Sequence, residues 1–217
     1  MKKRVNVKRL LTLIPLAGLA VCALPPLPSA AMVFGQYTTA SVSPDGEGAA
    51  FMSAGSDEFR TGVNARFRIN ERSDLGFELG FDRMSGNNAL GLAADFKFYL
   101  LDPESTLSVD LAADASLGHF RDDEIGRTVF GLSVIASGTL VADTRIPVEP
   151  YASLGFFTIL LDGDLCGGIP GCEADKSDTE TVLRGGFKFW LSDEYQVMAE
   201  VKIDGNTTVG AAFNVVF

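Results

Sequence analysis

The final eleven residues of the chain, 207–217, alternate strictly between two kinds of side chain. Thr207, Phe213, Phe217 and the alternate positions between them form one mostly apolar face, while the intervening positions are small or polar except Val216. A period of two is that of a β-strand whose faces meet different surroundings. The sequence therefore predicts a closing strand with one apolar and one polar face.

The same alternation recurs in eight further segments, and a poorly patterned tenth lies somewhere within 34–54. The eight are 63–69, 75–82, 90–100, 107–118, 130–140, 148–160, 183–191 and 195–204. Short runs rich in Gly, Asn, Asp, Ser and Pro separate most of them, which favours antiparallel neighbours over crossover helices. We expect an all-β fold, a closed antiparallel up-and-down barrel of about ten strands, with eight as the alternative, because only closure removes both sheet edges.

The alternation leaves open which face lines the interior. A lipocalin-like barrel or a β-sandwich would bury the apolar face and expose the charged one. A transmembrane barrel would do the reverse. The polar face is rich in Gly, Ala and Ser, as a narrow lumen requires, and segments of about 9 to 14 residues can cross a bilayer at a tilt. The transmembrane interpretation is the favoured one.

Residues 1–31 have the features of a cleaved signal peptide, which leaves 32–217 as one barrel domain. Five basic residues precede an apolar run at 10–24, and small residues follow at 29–31. Without this segment, 13 Lys and Arg face 28 Asp and Glu, a net charge of −15. Such acidity argues against binding to nucleic acid, which requires basic patches.

The last strand, with Phe213 and the terminal Phe217, resembles the closing strand of Gram-negative outer-membrane β-barrels, whose assembly machinery reads a C-terminal Phe. The resemblance implies a porin-like barrel located in the cell outer membrane, with outer-membrane lipid and the barrel assembly machinery as partners. With both termini in the periplasm, the connection 162–180 would lie outside the cell. Five aromatic residues would then lie near the periplasmic rim, like an aromatic girdle: Tyr37, Tyr99, Tyr151, Trp190 and Tyr195. Tyr99, Tyr151 and Trp190 share the inward face of their strands, so an alternative is that some of them cap the lumen.

If the polar face lines the lumen, six basic and seven acidic side chains point inward. They are Arg66, Arg68, Lys97, Arg184, Lys188 and Lys202, with Glu78, Asp82, Asp95, Asp110, Asp114, Glu149 and Glu200. Because unpaired charges in a narrow lumen are costly, most should be paired or hydrated. These side chains could form a structural ion-pair network that fills the barrel, or tune the passage of ions and small solutes through a narrow pore.

An alternative function is surface binding, as in an adhesin, through the acidic connection 162–180. Cys166 and Cys172 lie six positions apart in this connection, and an exported pair this close most simply forms a disulfide. The carboxylates there match no EF-hand spacing, so no metal site is expected. The single His, His119, has carboxylates nearby but no matching Ser or paired-Asp motif. We expect neither an enzyme nor a cofactor.

Overall fold

The computed structural model describes residues 37–41, 46–56, 58–84, 87–101, 109–121, 126–140, 146–162 and 177–217. In this part of the chain there are ten strands: β1 (Gly46–Ala54), β2 (Glu58–Asn70), β3 (Ser73–Met84), β4 (Asn87–Tyr99), β5 (Asp110–Arg121), β6 (Gly126–Ser137), β7 (Val148–Asp162), β8 (Ser177–Trp190), β9 (Tyr195–Ile203) and β10 (Thr207–Val216). No helix among these residues is long and apolar enough to span a membrane.

Each strand pairs antiparallel with its neighbours in the sequence, and β1 pairs with β10 to close the barrel. At this seam the backbone of Gly46 donates to Phe217 O at 3.1 Å, and the Phe217 amide donates to Gly46 O at 3.0 Å. The predicted all-β, closed, up-and-down barrel of ten strands is confirmed, and the eight-strand alternative is wrong. The poorly patterned tenth segment corresponds to β1, within the range expected for it.

The connections define two ends of the barrel. The end that carries Gly46 and Phe217, called the terminal end, also has the two-residue turn Glu71–Arg72 between β2 and β3. The opposite end, called the loop end, carries the connection between β7 and β8, the longest in the chain. A ladder of this kind places every second residue of a strand on the same face. Each lumen side chain is therefore fixed at a known height and on a known wall.

The barrel exterior is apolar on all ten strands. Exposed large apolar side chains include one or more from every strand: Met52, Phe67, Phe77, Leu92, Leu117, Leu132, Phe156, Phe187, Val201 and Val209. Leu132, near the middle of β6, is 65% exposed. The interior instead holds buried Arg, Lys, Asp and Glu side chains. This polarity excludes the lipocalin-like and sandwich alternatives, in which the apolar face is buried.

Aromatic and aliphatic side chains also fill part of the lumen, which the alternation did not predict. Phe51, Phe120, Phe157, Ile159 and Val182 are buried in one cluster. Glycines on neighbouring strands make room for the rings: a Cβ at Gly91 would meet Phe120, and one at Gly131 would meet Phe157. The predicted inward face of small and polar residues is therefore incomplete, because it lacked these large apolar side chains. Ten strands enclose a space that large side chains must fill if it holds no water channel.

Candidate functional site: the charged lumen

Eleven of the thirteen charged residues assigned to the lumen are buried. They are Arg66, Glu78, Asp82, Asp95, Lys97, Asp114, Glu149, Arg184, Lys188, Glu200 and Lys202. Asp110 is half-buried at the terminal end, where its carboxylate accepts from the Tyr99 hydroxyl at 2.6 Å. Arg68 is exposed at the end of β2, where a register irregularity follows it and its Nε donates to the Asn70 carbonyl.

Five charged residues join strands β2, β3 and β9 near the loop end, and are called the loop-end cluster: Glu58, Arg60, Asp82, Lys202 and Asp204. Arg60 pairs with Glu58 at 2.9 Å and with Asp82 at 3.3 Å. Lys202 pairs with Glu58 at 2.8 Å and with Asp204 at 2.9 Å. Thr208 at the start of β10 also bonds the Glu58 carboxylate. All these contacts run along or between barrel strands.

A second group, called the terminal-end cluster, joins β2, β3, β4 and β5: Arg66, Asp74, Asp95, Lys97 and Asp114. Arg66 pairs with both Asp74 and Asp95. Lys97 pairs with the other oxygen of Asp74 at 3.1 Å. Asp114 lies opposite Lys97 in the β4–β5 register and neighbours Asp95 diagonally. Three carboxylates and two cations are thus held on one side of the lumen.

Residues 37–41, called the N-terminal segment, lie inside the barrel, and Lys97 holds them. Its ammonium donates to Thr38 Oγ1 at 2.9 Å, to Thr39 O at 3.0 Å and to Ser41 O at 2.8 Å. Lys97 is only 1% exposed, and Thr39 is equally buried. One ammonium therefore ties a non-strand segment to the ion pairs of the barrel wall.

The two ends of the N-terminal segment contact opposite walls. Tyr37 stacks on Phe51 of β1 at 5.2 Å between ring centroids, and its hydroxyl donates to Met52 O at 3.1 Å. At the other end, the Ala40 amide donates to Ser137 Oγ of β6 at 3.2 Å. β1 and β6 are five strands apart in a ring of ten, so they face each other across the barrel. The segment therefore crosses the lumen.

Tyr37 has a backbone φ of +32°, which a non-glycine residue rarely adopts. Such a conformation costs about 1–3 kcal/mol and persists only where surrounding contacts fix it. Here Phe51 and Met52 O fix the ring, and Gly210 of β10 leaves room for it, since a Cβ at that position would meet the Tyr37 hydroxyl. Burial raises the pKa of the Tyr37 phenol, and Glu200 adds to the shift. The hydroxyl therefore stays protonated as a donor.

Most of the five aromatic residues do not form a girdle, and the alternative position in the lumen holds for Tyr99 and Tyr151. Tyr37, Tyr99 and Tyr151 are buried in the lumen, and Tyr151 donates to Glu200 at 2.8 Å. Trp190 is half-buried beneath Lys188, whose Nζ lies 5.0 Å from the ring centroid. Only Tyr195 of the five is exposed on the exterior, where it stacks on Phe213 at 5.9 Å. Inward parity accounts for the positions of Tyr99 and Tyr151, whereas Tyr37 belongs to the N-terminal segment, outside the strands.

The assigned terminal aromatic residues face outward. Phe213 is exposed, and Phe217 lies at the seam beside Phe67, with 6.3 Å between ring centroids. Phe217 thus continues the β1–β10 pairing by one residue beyond the last strand position.

Carboxylates outnumber cations inside the described barrel. Eleven Asp and Glu side chains are buried against six Arg and Lys, an excess of five carboxylates. Six of these buried residues were missed at the sequence level: Glu47, Glu58, Arg60, Asp74, Glu180 and Asp204. The sequence contained a signal for three of them: Glu58 and Arg60 lie an even number of positions from Arg66, and Asp74 lies an even number from Glu78, so each shares the inward face of its strand. The predicted strands began too late, at 63 and 75, and so excluded Glu58, Arg60 and Asp74.

Several predicted features lie outside the described residues. These are the signal peptide at 1–31, Cys166, Cys172 and most of the connection 162–180.

The single histidine, His119, is exposed on the outward face of β5, where its Nδ1 lies 3.0 Å from Thr128 Oγ1. Among the residues that the structure describes, no group of His, Cys, Asp and Glu could hold a metal ion.

An apolar exterior around a charged, densely filled interior defines a transmembrane β-barrel, since so large an exposed apolar surface is stable in lipid and not in water. No protein-family model and no curated protein matches the sequence. Solved structures that resemble the fold include the translocator domain of autotransporter NalP from Neisseria meningitidis, at 10% identity over 79% of this chain and 87% of that one, with a TM-score of 0.48. Another is a KdgM porin, at 10% identity over 79% and 99%, with a TM-score of 0.43. At these values the likeness concerns barrel architecture and assigns no function.

Proposed function

We propose that the protein is a porin-like barrel of the outer membrane, exported through residues 1–31, that is closed at rest and passes small cations when it opens. The excess of five buried carboxylates carries this proposal. Carboxylates in a narrow, low-dielectric passage focus a negative potential, which concentrates cations and repels anions.

The size limit follows from the filling of the lumen. Phe51, Phe120 and Phe157 are each no more than 4% exposed, so their rings occupy much of the interior. Ten strands leave little space beyond side chains. Only small hydrated ions are therefore expected to pass, and large solutes are expected to be excluded.

The partners proposed for this barrel are the lipid that covers its apolar exterior and the assembly machinery that inserts it. Phe217 stands where such machinery would meet the closing strand, at the seam between β10 and β1. Replacing Phe217 with Ser should lower the amount of folded barrel in the outer membrane while leaving refolding in detergent unchanged. Equal amounts in the membrane would refute this role.

The test of cation passage is a recording in a planar bilayer across a KCl gradient, with the mature protein first shown to give a folded band that shifts on heating. We expect a reversal potential whose sign shows that K⁺ permeates more readily than Cl⁻. Glu47→Gln and Asp95→Asn should reduce that selectivity, because both are buried lumen carboxylates paired with cations and each substitution removes a negative charge. Glu194→Gln, in an exposed turn, is the matched control and should leave it unchanged. Anion selectivity, or a folded barrel that never conducts, would refute the proposal.

A further inference from the structure

The wall around the N-terminal segment has the features of a binding site for an extended, uncharged chain. It offers an ammonium from Lys97, a hydroxyl from Ser137, a carboxylate from Glu149 and an aromatic face from Phe51. The sequence Tyr-Thr-Thr-Ala-Ser at 37–41 has no charge and presents only hydroxyls, amides and carbonyls to these groups. Every wall group named here has a partner in the segment.

We propose that this site evolved to hold residues 37–41 as a tethered plug, and that release of the plug opens the lumen. The inference rests on the proposed function and identifies what closes the passage. The geometry supports it because the segment contacts β1 at one end and β6 at the other, so it lies across the path that an ion would take.

Lys97 is the central contact of the plug. It supplies three of the hydrogen bonds to the segment, and charge-assisted bonds are stronger than neutral ones. Lys97 also pairs with Asp74, which keeps a second partner in Arg66. Loss of the ammonium therefore frees the segment more than it disturbs the wall.

The charge balance explains why release would produce a cation path. The plug is uncharged, so it neutralises none of the buried carboxylates. When it leaves, water and cations can approach Asp74, Asp95 and Asp114 at the terminal-end cluster. The strained φ of Tyr37 also favours release, because the backbone can relax once its contacts are lost.

The test measures exposure of the plug separately from conduction. Thr39→Cys is introduced into a Cys166→Ser/Cys172→Ser background, and its labelling by a small cationic thiol reagent is followed in folded barrels. Thr39 keeps its backbone contact with Lys97 in this probe, and it is 1% exposed in the closed barrel. The probe alone should label slowly.

Adding Lys97→Met should raise the labelling rate and the open probability at least about tenfold, because it removes three charge-assisted hydrogen bonds and the loss of one alone corresponds to about that change. Tyr37→Ala should act in the same direction without altering any strand. Lys188→Met is the matched control: it removes a buried lumen lysine that pairs with Glu47 and lies over the Trp190 ring, so labelling at position 39 should stay slow.

The outcomes separate the two proposals. Unchanged labelling in both Lys97→Met and Tyr37→Ala would overturn the plug, whatever the current. Cation-selective openings of equal frequency in wild type and Lys97→Met would uphold the proposed function and overturn the plug. Faster labelling in barrels that never conduct would overturn both the cation passage and the closing role of the segment.

Discussion

The loop-end and terminal-end clusters are built from the same residue types but have different partners. In the loop-end cluster, the ion-pair partners of Arg60 and Lys202 among the described residues are Glu58, Asp82 and Asp204, in or next to the barrel strands. In the terminal-end cluster, Lys97 pairs with Asp74 and also holds three oxygens of residues 38–41. The first arrangement stabilises the wall, whereas the second joins the wall to a separate segment. Substitutions in the loop-end cluster should therefore lower stability alone, whereas substitutions in the terminal-end cluster should also expose the N-terminal segment.

The largest loss of stability is expected for Arg60→Met at the loop-end cluster. Within the described barrel, Arg60 is the one ion-pair partner of Asp82. Without Arg60, Glu58 would keep Lys202 as its one cationic partner there. Removing one partner of a buried pair costs about 3–5 kcal/mol. Urea unfolding of the detergent-folded barrel should show this loss, with Arg68→Met, at an exposed position, as the control. Unchanged labelling at position 39 is also expected, and faster labelling would remove the distinction between the clusters.

Lys97→Met should cost less stability, because Asp74 retains Arg66 as a partner. The loss of charged hydrogen bonds to the N-terminal segment predicts about 1.5–3 kcal/mol, measured in the same urea unfolding. The variant should differ from Arg60→Met by exposing Thr39. A stability loss equal to that of Arg60→Met, with Thr39 still protected, would mean that both clusters have the same structural role.

Gly210→Ala tests the segment from the opposite wall. The added methyl group would meet the Tyr37 hydroxyl, so the ring must move away from Phe51. The net change in stability should be about 1 kcal/mol or less, since crowding is partly offset by the better strand preference of Ala. Labelling at position 39 should nevertheless rise. Gly48→Ala, where the nearest atoms lie 3.8 Å from the new Cβ, is the control and should leave labelling slow.

The smallest effect is expected for Glu149→Gln. Glu149 Oε1 accepts from Ser41 at 3.3 Å and from Ser137 at 2.9 Å, and a Gln carbonyl can accept both bonds. Exchanging charge-assisted for neutral bonds should cost about 0.5–1 kcal/mol, with little change in labelling. Glu149→Leu, which removes the acceptor, should expose the segment clearly more. If the two variants behave alike, the carboxylate does not anchor Ser41.

Alternation was sufficient to predict the barrel, since a period of two specifies both the strands and their faces. It placed Lys97 and Asp114 in the lumen because they share the inward parity of their strands. It could not predict the N-terminal segment, since residues 37–41 have no alternation and their position depends on contacts with residues up to about a hundred positions away, such as Ser137. The same parity rule, applied to longer strands, would have found Arg60 and Asp74.

The aromatic side chains show where residue type misleads. Residue type favours a girdle position for Tyr99 and Tyr151, because tyrosines prefer membrane interfaces, whereas their inward parity favours the lumen. In the structure each hydroxyl bonds a lumen carboxylate, Asp110 or Glu200. Parity is imposed by backbone geometry on every residue, whereas interface preference is a weaker average tendency. The geometric rule therefore takes precedence when the two disagree.

The most direct test is whether fixing the segment in place closes the lumen. Ala40→Cys and Ser137→Cys are combined with Lys97→Met in the Cys166→Ser/Cys172→Ser background, since the Ala40 amide lies 3.2 Å from Ser137 Oγ. Current is recorded in one bilayer before and after reduction of the new disulfide. If residues 37–41 close the barrel, the oxidised protein should be silent and reduction should restore frequent cation-selective openings. Equal currents in the oxidised and reduced protein would contradict this.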